Sequence, residues 1–346
     1  MLPNEILEVV QTEEVIAGWK ASALAEPSDK LVHALVDWLL SPGAARVPAV
    51  RRYLFYLGWM FDTFHSIAAY FPRHNLGREG QKDSLAVLTT PEEMLYLANH
   101  LYILDSYGVE GVVLECGCFK GYSSCCLSHA CAYLSRELFV ADSFEGLPPP
   151  RPSEGGYYQP GDFAGSLDEV KSNVAIYGRA ESVRYVKGWF SDSLNGWTRP
   201  LALLWTDVDL YQSVLDVLKN VFHAVDPRAA MFSHEFLADY IHEGQIVFPH
   251  ESPGAYRDFL GARDCAYAAR YLGGHTAMIV FSTSLAPASA QLLNALMMRL
   301  YEKGSSASQI ALLERQLNGL RAHMQAVSQG RVMLFMNAVS SRMGRR

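Results

Sequence analysis

Glycine and acidic residues give the clearest chemical signal in this sequence, at a turn that follows an apolar segment. Glu115, Gly117 and Gly121 form an E-x-G-x-x-x-G pattern directly after the apolar run Gly111–Cys116. Glycine lets a backbone turn tightly and approach a ligand closely at the carboxyl end of a strand. The pattern differs from the G-x-G-x-x-G of dinucleotide sites. A carboxylate here suits a cofactor with an amino acid end, because it attracts the ammonium group, so the spacing predicts a cofactor site at Glu115–Gly121.

A second acidic residue ends the next apolar run. Asp142 directly follows Leu138–Ala141. An acidic side chain at the end of the second strand of an α/β unit is placed to accept hydrogen bonds from two ribose hydroxyls. Together the two acidic residues predict a cofactor that carries both an amino acid and a ribose.

Cysteines are concentrated around the glycine turn. Four of the six lie within eleven residues, at Cys116, Cys118, Cys125 and Cys126. Four sulfurs suggest zinc, but the spacing is not the paired C-x-x-C of structural zinc sites, and the block crosses a strand, a turn and a helix. We therefore interpret these residues as small, buried, reduced thiols.

The elements before the glycine turn are helical. Thr90–Glu93 predicts a strong helix start, with a capping threonine, a proline in the first turn and two carboxylates near the positive end of the helix dipole. The polar stretch Arg73–Ser84 is either a mobile lid or a surface loop. Apolar residues at helical spacing predict four helices, at Glu13–Ala25, Asp29–Leu40, Ala49–Ala69 and Pro91–Tyr107.

From about residue 109 short apolar runs alternate with helical segments, which is typical of βαβ units and a parallel sheet. Tyr267–Leu272 and Thr276–Ser282 flank Gly273 and Gly274, which predicts a closing β-hairpin. A Rossmann-like α/β sheet, mostly parallel with an antiparallel C-terminal hairpin, is the arrangement of class I methyltransferases. The five predicted parallel strands are Gly111–Cys116, Leu138–Asp142, Val183–Val186, Leu201–Thr206 and Ala229–Ser233.

The tail is helical again, with apolar residues at alternating spacings of three and four along Ile310–Val327. This seam predicts packing against the catalytic domain or a sister subunit, and a membrane-surface helix aided by Arg342, Arg345 and Arg346 is the alternative. We expect a helical N-terminal region at 1–100, which caps the site or mediates oligomerisation, a catalytic domain at 101–284 and a helical extension at 285–346.

The net charge of −7 and the lack of a basic block argue against nucleic acid as a partner. The start has no signal-peptide pattern. Tyr53–Phe71, the longest apolar stretch, is interrupted by Asp62 and His65, so it predicts a buried helix and no membrane span. We expect a cytoplasmic protein that acts on a small molecule and forms a homo-oligomer, as a dimer.

Four segments of the sequence resemble motifs of a known family. Residues 88–283 resemble the macrocin O-methyltransferases, class I enzymes that use S-adenosylmethionine (SAM) to methylate sugar hydroxyls on antibiotics and related glycosides. The matching segments are DSFEGLP at Asp142–Pro148, SLDEV with its following Asn and Tyr-Gly at Ser166–Gly178, GWF-x-D-x-L at Gly188–Leu194, and TDVDLYQS at Thr206–Ser213.

The resemblance implies specific cofactor contacts. Glu115 and Gly117, with Gly121 closing the turn, would lie at the methionine end of SAM. Asp142 and Ser143 would hold the ribose, and Gly188–Trp189 would lie beside the adenine.

The resemblance also implies a divalent metal, magnesium or manganese. Asp207 matches the first ligand, but the acidic pair after the fifth strand is His234–Glu235 here. An imidazole would weaken magnesium, which prefers oxygen ligands. His234 is therefore a metal ligand, the base that removes the hydroxyl proton, or a structural residue. Asp209 is the other expected proton acceptor.

The predicted function is O-methylation of a sugar, glycoside or other secondary metabolite with metal assistance. The alternatives are a metal-independent SAM enzyme, with N-methylation or an unusual reaction and His234 as base, and a non-catalytic SAM-binding protein. The loop Pro148–Ser166 is a candidate lid or binding loop in which Tyr157 and Tyr158 could stack on a ring. His242, His250 and His275 stand out by residue type alone, and we interpret them as structural.

Overall fold

The chain divides into two units, Met1–Leu293 and Asn294–Arg346, and of the second unit only residues 294–302 are described. The first unit contains the sheet and the predicted cofactor site. The structure is a computed structural model that describes residues 2–12, 29–71, 89–151, 158–234, 236, 241–242, 245–246, 252–273, 275–285 and 289–302.

Nine strands are formed in the described residues. Their bounds are β1 Val112–Cys116, β2 Leu138–Asp142, β3 Val183–Lys187, β4 Leu201–Thr206, β5 Met231–Ser233, β6 Ile241–His242, β7 Gln245–Ile246, β8 Tyr267–Gly273 and β9 Thr276–Phe281. Seven of them form one sheet in the order β3-β2-β1-β4-β5-β9-β8, and β6 pairs with β7 alone. Strands β1 to β5 are parallel, whereas β9 is antiparallel to both β5 and β8. The predicted mostly parallel sheet with a C-terminal hairpin is confirmed.

The helices lie before, between and after these strands. Their bounds are α1 Asn4–Thr12, α2 Asp29–Leu39, α3 Pro48–Tyr70, α4 Pro91–Ser106, α5 Tyr122–Tyr133, α6 Leu167–Tyr177, α7 Phe190–Ser193, α8 Tyr211–Val221, α9 Ser252–Gly261 and α10 Ser289–Glu302. Three predicted N-terminal helices are confirmed as α2, α3 and α4. The predicted helix Glu13–Ala25, the stretch Arg73–Ser84 and the tail seam Ile310–Val327 lie outside the described residues. No described helix is both long enough and apolar enough to cross a membrane.

Helix α4 begins at the predicted position. The Thr90 hydroxyl accepts the Glu93 backbone N–H at 3.1 Å, and the Glu93 carboxylate accepts the Thr90 N–H at 2.6 Å. These reciprocal bonds satisfy two donors that the first helical turn would otherwise leave unpaired. The first turn of α4 is thereby fixed.

The two faces of the sheet are covered by different helices. On one face His100 of α4 accepts the Ala230 N–H at 3.0 Å, and α3 covers α4 through a hydrogen bond from the Tyr53 hydroxyl to Asn99 at 2.8 Å. On the other face the Tyr256 hydroxyl of α9 lies 2.8 Å from the Thr206 hydroxyl at the end of β4. Because helices cover both faces, the parallel strands are buried. Their carboxyl ends are the places where polar side chains can meet a ligand.

Candidate functional site

Four neighbouring strands end at the same edge of the sheet, so the residues that follow them lie side by side. Backbone hydrogen bonds extend the ladder one residue beyond the strands: Gly117 donates to Ala141 at 2.9 Å, Asp207 to Cys116 at 2.9 Å, and His234 to Thr206 at 2.8 Å. This edge therefore brings together Gly117, Asp142, Asp207 and His234, which are distant in sequence.

The glycine turn is shaped by a close backbone contact. Gly117 has φ +82°, and a Cβ atom at this position would lie 1.9 Å from the Asp207 carbonyl oxygen. The glycine is thus required by the crossing of the chain after β1 and the chain after β4. Gly121 has φ +89° and begins α5, where a Cβ would lie 3.0 Å from Val170. Both predicted glycines take the left-handed backbone conformation that favours this residue.

Glu115 is a fully buried carboxyl group one residue before the end of β1. Its oxygens accept hydrogen bonds from Ser123 and, at 2.6 Å, from Ser124, both on the first turn of α5. Burial raises the pKa of Glu115 to about 8, the two serine bonds oppose that rise, and the negative charges of Asp207 and Asp142 add to it. A nearby cation such as an ammonium group would favour the ionised form.

Asp142 ends β2 and organises the surrounding turn. One carboxylate oxygen accepts the Cys118 N–H at 2.8 Å, and the other accepts the Phe144 N–H at 2.7 Å. Burial raises the pKa of Asp142 above its usual value, and these hydrogen bonds oppose that rise. The Ser143 hydroxyl is a second donor, at 3.4 Å, to the oxygen that Phe144 contacts. A ribose hydroxyl would therefore have to replace this long contact or bind the other oxygen.

Ser143 has local partners in the same turn. Its hydroxyl donates to the Gly146 carbonyl at 2.8 Å and accepts the Glu145 N–H at 3.0 Å. The turn after β3 is tied to the same place, because the Gly188 N–H donates to the Asp142 carbonyl at 2.9 Å. Trp189 follows with 39% of its surface exposed. The predicted ribose and adenine positions are thus adjacent.

Asp207 and His234 form a close pair at the ends of β4 and β5. His234 Nδ1 lies 3.2 Å from Asp207 Oδ1, and the side chain of His234 is only 2% exposed. Asp209 is nearly buried and has φ +55°.

Glu235, the third predicted metal ligand, lies outside the described residues. Within the described ranges no group of three His, Cys, Asp or Glu side chains could hold a metal ion. The set Asp207, His234 and Glu235 therefore stays a prediction.

His275 joins this edge although the sequence analysis gave it no role. Its ring stacks on that of His234, with the centroids 5.6 Å apart and the planes 20° apart. Its backbone N–H donates to the Glu93 carboxylate at 3.0 Å, across 182 positions of sequence. A contact this distant in sequence leaves no pattern in a single chain, so only the fold could reveal it.

Two backbone hydrogen bonds join the ends of the loop that follows the Asp142 turn. The Leu147 N–H donates to the Asp162 carbonyl at 2.8 Å, and the Gly161 N–H donates back to Leu147 at 2.9 Å. Tyr158 is buried and its ring lies 6.2 Å from that of Phe163. Tyr157 and His250 lie outside the described residues, and of His242 only the backbone, in β6, is described.

The cysteines near the site are buried and free, as predicted. Burial raises the pKa of the Cys116, Cys118, Cys125 and Cys126 thiols, so they stay protonated at neutral pH. Buried, protonated thiols are chemically inert.

Known proteins similar to this chain are methyltransferases. Residues 87–238 match the family described as Macrocin-O-methyltransferase (TylF). A Streptomyces olivaceus protein named 8-demethyl-8-(2,3-dimethoxy-alpha-L-rhamnosyl)-tetracenomycin-C 4'-O-methyltransferase is 32% identical over 144 residues, which cover 38% of this chain and 55% of that protein. Demethyldecarbamoylnovobiocin O-methyltransferase from Streptomyces niveus is 34% identical over 152 residues, which cover 38% of this chain and 54% of the relative. The chain thus spans about half the length of the curated relatives it matches.

The fold comparison agrees as well. The solved structure of the O-methyltransferase NovP superimposes with a TM-score of 0.52 at 21% identity, covering 65% of this chain and 98% of that chain. This likeness shows the fold of class I methyltransferases. The central segment of the chain, residues 87–238, is similar to the macrocin O-methyltransferase family.

Proposed function

We propose that this chain is a SAM-dependent O-methyltransferase that methylates a hydroxyl of a sugar, glycoside or other secondary metabolite. The observation that carries the proposal is the convergence of Glu115, Asp142 and the Asp207–His234 pair at one edge of a methyltransferase sheet. The names of the two Streptomyces relatives support the substrate class, because one is an O-methyltransferase of a rhamnosyl-tetracenomycin and the other an O-methyltransferase of demethyldecarbamoylnovobiocin.

The cofactor would lie along the ends of β1, β2 and β3. The buried Glu115 carboxylate would balance the ammonium group of SAM, and Asp142 would accept hydrogen bonds from the ribose hydroxyls. Gly188 would let the chain pass beside the adenine, with Trp189 available to stack on it. Ser143 would act by holding the Asp142 turn, because its hydroxyl already has three local partners.

Methyl transfer requires little covalent chemistry from the protein. The acceptor oxygen forms a bond to the methyl carbon while the carbon–sulfur bond breaks, and the hydroxyl proton passes to a base. Asp209 and His234 are the proposed proton acceptors. The contact between His234 Nδ1 and Asp207 favours the tautomer that carries hydrogen on Nδ1, which leaves the lone pair on Nε2.

A divalent metal would take its ligands from the residues at the ends of β4 and β5. Asp207 and His234 would supply an oxygen and a nitrogen, and Glu235 follows His234 directly in sequence. For Nδ1 to bind the metal, His234 would have to give up its contact with Asp207 Oδ1 and carry its hydrogen on Nε2. Such a mixed set suits manganese better than magnesium. When bound, the metal would lower the pKa of the acceptor hydroxyl and orient it.

The second candidate function is metal-independent transfer with His234 as the base, to oxygen or to nitrogen. It is favoured by the Asp207–His234 pair, because a carboxylate that accepts from Nδ1–H orients an imidazole and stabilises its protonated form. A non-catalytic SAM-binding protein is the third, less favoured alternative.

Two measurements test the main proposal. S-adenosylhomocysteine should raise the melting temperature, and labelled SAM should transfer its methyl group into candidate glycosides. No thermal shift at millimolar ligand would exclude cofactor binding at this edge.

The metal requires its own experiment. Asp207→Ala and a chelator should each abolish transfer if the metal acts, whereas Asp168→Ala, at an exposed position on α6, should leave transfer intact. Unchanged turnover in chelator, together with loss of turnover in His234→Ala, would favour His234 as a metal-free base.

The proposal extends to the oligomeric state, the cellular location and the division of the chain into regions. We expect a cytoplasmic homodimer with a helical cap or oligomerisation region at 1–100, the SAM domain at 101–284 and a helical extension at 285–346. Analytical ultracentrifugation of the full chain and of a chain truncated after residue 284 would show whether the extension carries the dimer contact.

A further inference from the structure

We propose that His275 is a positioning residue for methyl transfer, whose imidazole fixes the ring plane of His234 by stacking on it. The inference rests on the proposed function, because it assumes that the direction of the His234 ring matters for the reaction. It adds a residue from the β8–β9 hairpin to a site otherwise built from the ends of the parallel strands.

The orientation of the His234 ring needs two restraints. The terminal torsion of a histidine side chain is broad, so a single hydrogen bond lets the ring swing. Asp207 restrains one atom, Nδ1, at 3.2 Å. The His275 ring, with its centroid 5.6 Å from that of His234 and its plane 20° from parallel, restrains the plane, and the Trp205 ring makes an edge contact with His234 at a centroid distance of 6.0 Å. The direction of Nε2 is then determined.

His275 can act as a fixed surface because its own backbone is held on both sides. Its N–H donates to Glu93 Oε1 at 3.0 Å, and its carbonyl accepts the Phe236 N–H at 2.9 Å. Glu93 is 2% exposed and is itself fixed by the capping bonds of α4. The stack is therefore a rigid contact between the hairpin and the strand ends.

This arrangement gives the N-terminal helical region a role in the site. The second oxygen of the Glu93 carboxylate accepts the Thr90 N–H at 2.6 Å, so one side chain both caps α4 and holds the turn that carries His275. Correct folding of the start of α4 is thus a condition for a correctly aligned His234.

The test compares two apolar replacements that differ in having a ring. His275→Leu removes the stacking face at similar volume, whereas His275→Phe retains it. We expect His275→Leu to lower kcat about two- to tenfold with unchanged KM for SAM, which is the range that an aromatic pair contributes. We expect His275→Phe to keep kcat within about twofold of the unmodified chain. His223→Leu, at an exposed position, is the matched control and should leave kcat unchanged.

Imidazole NMR supplies a readout that does not depend on turnover. With labelled histidine, the unmodified chain should show contacts between the two rings and a single Nδ1–H tautomer for His234, assigned with His234→Asn. His275→Phe should keep that tautomer, and His275→Leu should produce a mixture.

Three results would overturn the proposal: no contact between the rings, equal loss of kcat in both variants, or full kcat in His275→Leu. The ring contact is measured in the unmodified chain, so it decides even if a variant fails to fold. Failure of the proposed function would appear differently, as an unmodified chain that neither binds S-adenosylhomocysteine nor transfers methyl.

Discussion

The substitution Gly117→Ala tests the closest backbone contact at the candidate site. The added Cβ would lie 1.9 Å from the Asp207 carbonyl oxygen and 2.8 Å from its carbon. Neither partner can withdraw easily, because Gly117 donates to Ala141 and Asp207 donates to Cys116, each at 2.9 Å. The clash can be relieved only by separating the chain that leaves β1 from the chain that leaves β4.

The size of the effect follows from two contributions. An alanine at φ +82° costs about 1–2 kcal/mol relative to glycine. Overpacking against rigid backbone adds about 1–3 kcal/mol. We therefore expect Gly117→Ala to lower the free energy of unfolding by about 2–5 kcal/mol. The displaced Asp207 would also misalign the candidate acceptor site.

The matched control is Gly196→Ala. Gly196 has φ +73° with nothing within 4 Å of the added Cβ, so it reports the conformational cost alone. We expect it to cost at most about 1–2 kcal/mol. Urea unfolding of the two variants, with the thermal shift produced by S-adenosylhomocysteine, measures both effects. The reasoning would be refuted if Gly117→Ala unfolded like Gly196→Ala and still bound the ligand like the unmodified chain.

Three further predictions concern side chains of the site and its support. Asp142→Asn should weaken S-adenosylhomocysteine binding about tenfold or more in calorimetry, because a charged acceptor is lost; equal affinity would contradict the ribose assignment. The pKa of the Glu115 carboxyl is 4.5 in the unfolded chain and about 8 in the folded chain, so folding favours its protonated form. The resulting contribution to the free energy of unfolding is complete below pH 4.5 and is lost as pH rises towards 8. Glu115→Gln should flatten that decline in urea unfolding between pH 5 and pH 8, and it should also remove the expected rise in SAM affinity over the same interval. Tyr256→Phe removes a buried hydrogen bond to Thr206 and should lower the free energy of unfolding by about 1–2 kcal/mol; an unchanged urea midpoint would contradict this.

The sheet was predictable because its signals are local. Each parallel strand is an apolar run with a turn after it, and the start of α4 carries its capping pattern within four residues, Thr90–Glu93. Parallel strands bring their carboxyl ends to one edge, so Asp142 and Asp207 could be placed together without coordinates. Helix α1, Asn4–Thr12, was not predicted, because its short amphipathic pattern does not stand out from the surrounding sequence.

Contacts between distant elements could not be predicted in the same way. His275 stacks on His234 because the hairpin turn happens to lie beside the end of β5, and Glu93 reaches that turn from a helix far earlier in the chain. The reason why glycine is needed at position 117 was also predicted only in part. The sequence indicated a close approach to a ligand, whereas the structure shows a close approach to the Asp207 carbonyl.

Backbone strain at this edge supports a preformed site. Phe119, Phe144 and Asp209 follow β1, β2 and β4, and all have positive φ, at 48°, 57° and 55°. A left-handed residue other than glycine costs about 1–2 kcal/mol, so the three together cost about 3–6 kcal/mol, which is comparable to the net stability of a typical domain. Such strain persists only where the surrounding structure holds it, and it clusters at functional sites. Because the hydrogen bonds to the Asp142 carboxylate and the Gly117–Asp207 contact hold these turns, the protein itself shapes the edge at which SAM is proposed to bind.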